Sequence, residues 1–242
     1  PMLPGRTDAG RIALTDAFEA PAAVKAGRMT EDMAHEIEDR ACPGCGSCAG
    51  MFTANSMNCM TELLGMALPG NGTIPAVESR RILLAKHTGM KIMELVDRNI
   101  TPREIVTERS IHNGLIADMA LGCSTNTMLH LPAIAHEAGL EFDLKRVNDI
   151  SDRVPHLVKL NPAGKHCLVD LDDAGGLGAV MKRLDQLGLI DPSARTVEGS
   201  WKERIAAARI LDEDVIRDRE HAYSQTGGLA VLFGNLAPDG AV

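Results

Sequence analysis

Ala41-Cys42-Pro43-Gly44-Cys45-Gly46-Ser47-Cys48-Ala49-Gly50-Met51-Phe52-Thr53-Ala54-Asn55-Ser56-Met57-Asn58 is the stretch from which the rest of the chain is read. Residues 42–50 hold too much Gly and Pro for regular structure, so they are expected to form a loop. From about Asn55, Met57, Met60, Leu63, Leu64 and Ala67 recur at helical spacing. The loop therefore runs into an amphipathic helix, which Pro69-Gly70-Asn71-Gly72 is expected to end.

Outward from this unit, helices follow one another with Gly and Pro at the joints. Upstream, Thr15 is placed as the cap of a helix to about Ala26, with Pro21 inside it and Gly27 as its stop. Thr30 followed by Glu31 and Asp32 opens another, because acids favour the positive helix start. Downstream, helices are predicted over about 75–88, 90–97, 110–120, 143–152, 176–187 and 201–209, with one more from Met128. Thr101-Pro102-Arg103-Glu104 is a capping box with Pro at the first helical position. Strand signals are fewer: His156–Leu160, Cys167–Leu171 and Gly228–Phe233. The expected class is α/β, with a helix-rich N-terminal domain over 1–212, a linker over 213–226, and the first strand of a C-terminal β-containing domain over 227–242.

Composition narrows the function. Hydrophobic residues make up 45% of the 242, enough to bury a core, which excludes disorder. Net charge is −8 with the basic residues scattered, and aromatics are 2%, so neither a phosphate-binding stripe nor a base-stacking platform can be assembled. Nucleic acid is therefore not expected as a partner. No apolar run has the length of a membrane span, and no secretion signal is visible, so a cytoplasmic location is expected. An opening of Pro1-Met2-Leu3-Pro4 reads as a piece of something longer.

Three of the six cysteines lie within seven residues, as Cys42-x-x-Cys45-x-x-Cys48. Thiolates suit zinc or iron–sulfur clusters, and a Gly-rich loop lets them converge while offering backbone N–H groups. Zinc needs a fourth ligand, yet Cys59 falls in the predicted helix and the nearest downstream His is His87. A bacterial ferredoxin run needs a Cys where Phe52 stands. Two readings stay open from spacing alone. One is an incompletely ligated iron acting as a Lewis acid on a substrate hydroxyl; the other is small, buried, inert cysteines in a tight turn.

The quoted stretch closely resembles the dihydroxy-acid dehydratase family. So do Leu68-Pro69-Gly70-Asn71-Gly72, Met119-Ala120-Leu121-Gly122-Cys123-Ser124-Thr125-Asn126-Thr127, Leu129-His130-Leu131 and Tyr223-Ser224-Gln225-Thr226-Gly227-Gly228-Leu229-Ala230-Val231-Leu232, in the family's order. The resemblance implies a homodimer of chains about twice this length or more, with an iron–sulfur cluster (2Fe–2S or 4Fe–4S) and Mg2+. It implies an α,β-elimination: iron takes the C3 hydroxyl, magnesium holds the carboxylate and C2 oxygen, and a serine alkoxide removes the C2 proton, giving a 2-keto acid. The substrates implied are 2,3-dihydroxyisovalerate and 2,3-dihydroxy-3-methylvalerate, in branched-chain amino-acid synthesis.

Carried over residue by residue, the resemblance gives Cys48 as a cluster ligand, five positions before Thr53-Ala54-Asn55. Cys42 and Cys45 become turn cysteines, which displaces the three-ligand reading. The family's other cluster motifs, its magnesium ligands and its base serine do not occur here, so no catalytic residue is assigned and this piece alone is expected to be inactive. Ser124, Thr125 and Asn126, after Gly122, form a candidate carboxylate-binding helix start in the substrate pocket; ordinary capping is the bland alternative. His130 and His136 at spacing six do not share a metal-binding face, and Cys59, Cys123 and Cys167 read as buried structural thiols. The methionines read as core filler, and Pro69-Gly70-Asn71-Gly72 as a turn rather than a phosphate loop. The apolar Ala49-Gly50-Met51-Phe52, Met128 and Leu129 beside these motifs favour a branched-chain substrate over a sugar acid. A sugar-acid dehydratase of the same superfamily and a Cys-rich metal-binding structural module are the rivals.

Overall fold

The computed structural model describes all of residues 1–242, and its centre is one helix, Glu108–Leu121. Eleven of its fourteen residues are buried, including Leu115, Met119 and Leu121. Thr107 caps its start, accepting the Ser110 N–H, and Gly122 ends it in the left-handed region at φ +57°. Around it pack Thr53–Leu63, Thr127–Ala138, Lys145–Ser151 and Gly176–Gln186, all contributing to a single cluster of 39 buried apolar residues.

In chain order the elements are β1 (Gly5–Thr7), β2 (Gly10–Ile12), α1 (Leu14–Lys25), α2 (Glu31–Arg40), α3 (Thr53–Leu63), α4 (Ser79–Asp97), α5 (Pro102–Ile105), α6 (Glu108–Leu121), α7 (Thr127–Ala138), α8 (Lys145–Ser151), α9 (Leu168–Asp173) and α10 (Gly176–Gln186). They continue with β3 (Arg195–Thr196), β4 (Gly199–Ser200), α11 (Trp201–Ala207), β5 (Leu232–Gly234) and β6 (Ala237–Ala241). The three sheets are antiparallel pairs, β1–β2, β3–β4 and β5–β6. The chain is a helix-rich α/β structure, as expected.

Several boundaries differ from the sequence reading, each for a local reason. α1 starts two residues earlier, because Asp16 accepts the Ala13 N–H at 2.7 Å and Thr15 lies within the helix. α3 stops at Leu63, since Gly65 takes φ +83° against the Arg195 carbonyl. The two helices expected over 75–97 are one, α4, whose Gly89 is carried through. Cys167–Leu171 is not a strand: Cys167 N–H donates to the Asp170 carboxylate at 2.8 Å and opens α9. His156 and Leu160 form only isolated bridges, to Ser224 and His166. In Gly228–Phe233, regular pairing begins at Leu232.

The stretch 213–226 has no helix or strand, and its Val215 and Ile216 are buried in the main cluster. Leu229 and Val231 are buried there too, with Val231 N–H on Asn148 Oδ1 at 2.8 Å. The hairpin β5–β6 beyond them is largely exposed. The single tryptophan, Trp201, joins α11 to α3: it is 1% exposed and donates its indole N–H to the Leu63 carbonyl at 3.2 Å.

Candidate functional site

The first turn of α3 connects the cysteine loop with the Ser-Thr-Asn turn. On the loop side, Cys48 is half-buried. Burial pushes its thiol up from the ordinary value, while the N–H groups of Gly50 and Ala49 on the sulfur pull it down. Leu168 N–H donates to the Ala49 carbonyl at 2.9 Å, and Met51 N–H to the Asn161 carbonyl at 2.7 Å. Gly50 needs its missing side chain, because a Cβ would lie 2.5 Å from the Asn161 carbonyl oxygen. Asn55, fully buried, donates its side-chain amide to the carbonyls of Cys48 and Gly50 and accepts from the Ser47 hydroxyl.

Cys42 and Cys45 are exposed, which corrects the reading of buried turn cysteines: the Pro-Gly turn projects outward. No group of three His, Cys, Asp or Glu side chains in the chain is arranged to hold a metal ion. The local three-thiolate reading, and with it the metal-binding module, therefore has no assembled site. Cys48 differs from Cys42 and Cys45: it is half-buried on a loop pinned through the backbone of Ala49 and Met51. Cys59, Cys123 and Cys167 are buried, and burial lifts the Cys167 thiol to about 11.

On the other side, Ser124 N–H donates to Ser56 Oγ at 2.9 Å, and the Asn126 amide donates to Thr53 Oγ1 at 2.7 Å and Ser124 Oγ at 3.1 Å. Ser124 and Asn126 are half-buried, whereas Thr125 is exposed. α7 begins at this turn: the N–H groups of Thr127, Met128 and Leu129 donate to the Ser124, Thr125 and Asn126 carbonyls at 2.9, 3.1 and 3.1 Å, and Asn126 N–H donates to Ser124 Oγ at 3.3 Å. Behind the turn, Asp118 of α6 is fully buried and accepts the Thr127 hydroxyl at 2.7 Å. Burial raises its carboxyl to about 7, against the pull of Thr127 and Cys123, and its Oδ1 has no partner.

Next to Thr53 an apolar groove of about 990 Å³ opens between α3, α5 and α7, lined by Met57, Val106, Ile134 and His130. Met51 and Met128, expected beside the substrate, instead point into the core, and Leu129 is exposed to solvent. The apolar lining of the groove comes instead from Met57 of α3 and Ile134 of α7, each six residues further along the chain. His136 is exposed beside Glu137. Five methionines are core residues, but Met33, Met90 and Met93 are exposed.

A second cavity, of about 550 Å³, lies at the far end of α3 between Glu62, Asp172, Trp201, Arg204 and the start of α10. Glu62 is 2% exposed and accepts the Gly72 N–H at 3.1 Å; burial raises its carboxyl to about 7. Sequence reading assigned no role to Thr53, Asn55, Ser56 or Asp118. The signal for Asp118 was present, as a lone acid on the otherwise uncharged stretch Ile116–Leu121.

The profile described as "Dihydroxy-acid/6-phosphogluconate dehydratase N-terminal" matches residues 1–204. The chain belongs to the dihydroxy-acid/6-phosphogluconate dehydratase family. Curated relatives, all named dihydroxy-acid dehydratase, include proteins of Desulfitobacterium hafniense (55% identical), Caldanaerobacter subterraneus subsp. tengcongensis (58%) and Carboxydothermus hydrogenoformans (57%). Each alignment covers 100% of this chain but only 43–44% of the relative, so the chain spans less than half the length of these proteins. No helix is long and apolar enough to cross a membrane.

Proposed function

We propose that the whole protein dehydrates 2,3-dihydroxy carboxylic acids, namely 2,3-dihydroxyisovalerate and 2,3-dihydroxy-3-methylvalerate, to 2-keto acids for valine and isoleucine synthesis. The observation that carries this reading is the shared anchoring of the Cys48 loop and the Ser124–Asn126 turn on Thr53, Asn55 and Ser56. That anchoring holds a thiol suited to a cluster and a helix start suited to a carboxylate on one rigid element. A cluster held in part by Cys48 supplies, when bound, an iron with Lewis acidity towards a hydroxyl.

Ser124, Thr125 and Asn126 orient the substrate carboxylate at the α7 start, where the helix dipole favours an anion. The groove beside Thr53 takes the alkyl branch, and its Met57, Val106 and Ile134 exclude water. A sugar acid would leave hydroxyls unpaired there, at a cost on the order of 1–3 kcal/mol each. This, with the relatives' names, favours the branched-chain substrates over the sugar-acid reading. By the resemblance, the ligands of Mg2+, the base serine and the remaining cluster cysteines belong to family motifs that do not occur in these 242 residues. A homodimer, a cytoplasmic location and a C-terminal β-containing domain that includes β5–β6 belong to the same proposal.

The test is kcat/KM of the anaerobically purified whole protein for dihydroxyisovalerate and for gluconate. A larger value for dihydroxyisovalerate is expected, and a larger value for gluconate overturns the substrate assignment.

A further inference from the structure

We infer that Asn55 is a positioning residue for the cluster ligand, fixing the backbone on both sides of Cys48 and so the direction in which its sulfur is presented. This rests on Cys48 being a ligand. The geometry is specific. One fully buried amide reaches three points around Cys48: Nδ2 donates to the Cys48 and Gly50 carbonyls, the latter at 2.7 Å, and Oδ1 accepts the Ser47 hydroxyl at 2.5 Å. A peptide unit is planar, so fixing a carbonyl fixes the N–H on its far side. The Cys48 carbonyl shares its plane with the Ala49 N–H, and Asn55 holds it. The Ala49 carbonyl shares its plane with the Gly50 N–H, and Leu168 N–H holds it at 2.9 Å.

The two peptides that follow Cys48 are therefore fixed by two separate clamps, one from the α3 side chain and one from the α9 backbone. Outer-shell partners that orient a metal ligand tune its affinity, and losing one costs roughly 10- to 100-fold in metal affinity. Ser47 acts one step further out, by keeping the Asn55 amide from turning over.

The experiment uses the whole protein, reconstituted anaerobically with ferrous iron and sulfide, in wild-type, Cys48→Ser, Asn55→Ala and Ser47→Ala forms. Iron content, the visible circular dichroism spectrum, the rate of iron release to a chelator and the apoprotein Tm are measured. Cys48→Ser is expected to lose the visible bands. Asn55→Ala should shift those bands and release iron about 10- to 100-fold faster, with Ser47→Ala moving the same way by less. Wild-type iron content and spectrum in Cys48→Ser would remove the ligand reading, and this inference with it. If Cys48→Ser loses the cluster but Asn55→Ala keeps the wild-type spectrum and release rate, whatever its Tm, the inference alone is overturned. Should Asn55→Ala fail to fold, the same outcomes in Ser47→Ala decide.

Discussion

Helix α6 has eleven of its fourteen residues buried; in the nineteen residues of α4, only Leu95 is. Both are built from apolar and polar residues in mixture, and both run without a break. α6 sits among α3, α7, α8 and α10, so even its Ser110, Asn113 and Asp118 are enclosed. Each of them is matched to a hydrogen-bonding partner, as in the pair of bonds between Asn113 and Asp191 at 2.8 and 2.9 Å. α4 turns Ile82, Leu83, Met90, Ile92, Met93 and Val96 outward and is braced by Lys91 and Arg98 on Glu94. The difference teaches which helix can hold a neighbouring turn still: the C-terminus of α6 leads through Gly122 into Ser124–Asn126, so that turn is anchored in the core.

The sharpest way to break this comparison is truncation. Leu121→Ala in α6, at 0% exposure, is expected to cost about 2–5 kcal/mol by denaturant unfolding, and Met90→Ala in α4, at 71%, no more than about 0.5 kcal/mol. A cost above about 1 kcal/mol at Met90 in the whole protein would mean that this face is covered there and that the contrast belongs to the present chain only. Glycines come next. Gly122→Ala must hold a side chain at φ +57° with its Cβ 2.5 Å from His156 Nε2, and about 1–3 kcal/mol of destabilisation is expected. Gly89→Ala sits mid-helix with open space around it and should stabilise by about 0.5–1 kcal/mol. Equal effects of the two would erase the distinction.

The third contrast is in pH dependence. Because burial raises the Asp118 carboxyl from 3.8 to about 7, the folded state prefers it protonated. Its contribution is fully present below the unfolded value and is lost as pH rises through about 7. Asp118→Asn keeps an acceptor for Thr127 and removes that loss, so its Tm relative to wild type should be more favourable at pH 8 than at pH 5. Glu62, also raised to about 7, leaves a residual slope of the same sign. On α4 the sign reverses: Lys91 and Arg98 hold Glu94 below its ordinary value, so its small contribution disappears as pH falls. A wild-type pH profile in Asp118→Asn contradicts the assignment.

Much of this was legible in the residues. Thr30 accepts the Met33 N–H as the cap of α2, and Glu104 accepts the Thr101 N–H at 2.8 Å in the expected capping box, because such signals act within four residues. The α/β class, the cysteine loop and the left-handed stop at Gly122 were legible for the same reason. What sequence could not supply was set by distant partners. α3 ends early because the β3 backbone approaches Gly65, and Cys167 opens a helix because Asp170 caps it instead of pairing in a sheet. In the site, Cys48 and Ser124–Asn126 were named from the sequence. Their joint dependence on α3 was not, since Asn126 and Thr53 are 73 residues apart and meet only after folding. Met51 and Met128 were misassigned because an apolar residue beside a motif can face either way until the helix packs.

Trp201 also makes α3 visible to light. It is the chain's single tryptophan, held at 1% exposure against the last turn of α3, with the Arg204 guanidinium 5.3 Å from the centre of its ring. The other end of that helix clasps Cys48. Emission excited selectively from the indole is therefore a one-site optical gauge of the helix that holds the cysteine loop. A shift of that emission to the red during a titration marks the moment when Trp201 lets go of the Leu63 carbonyl at the far end of α3.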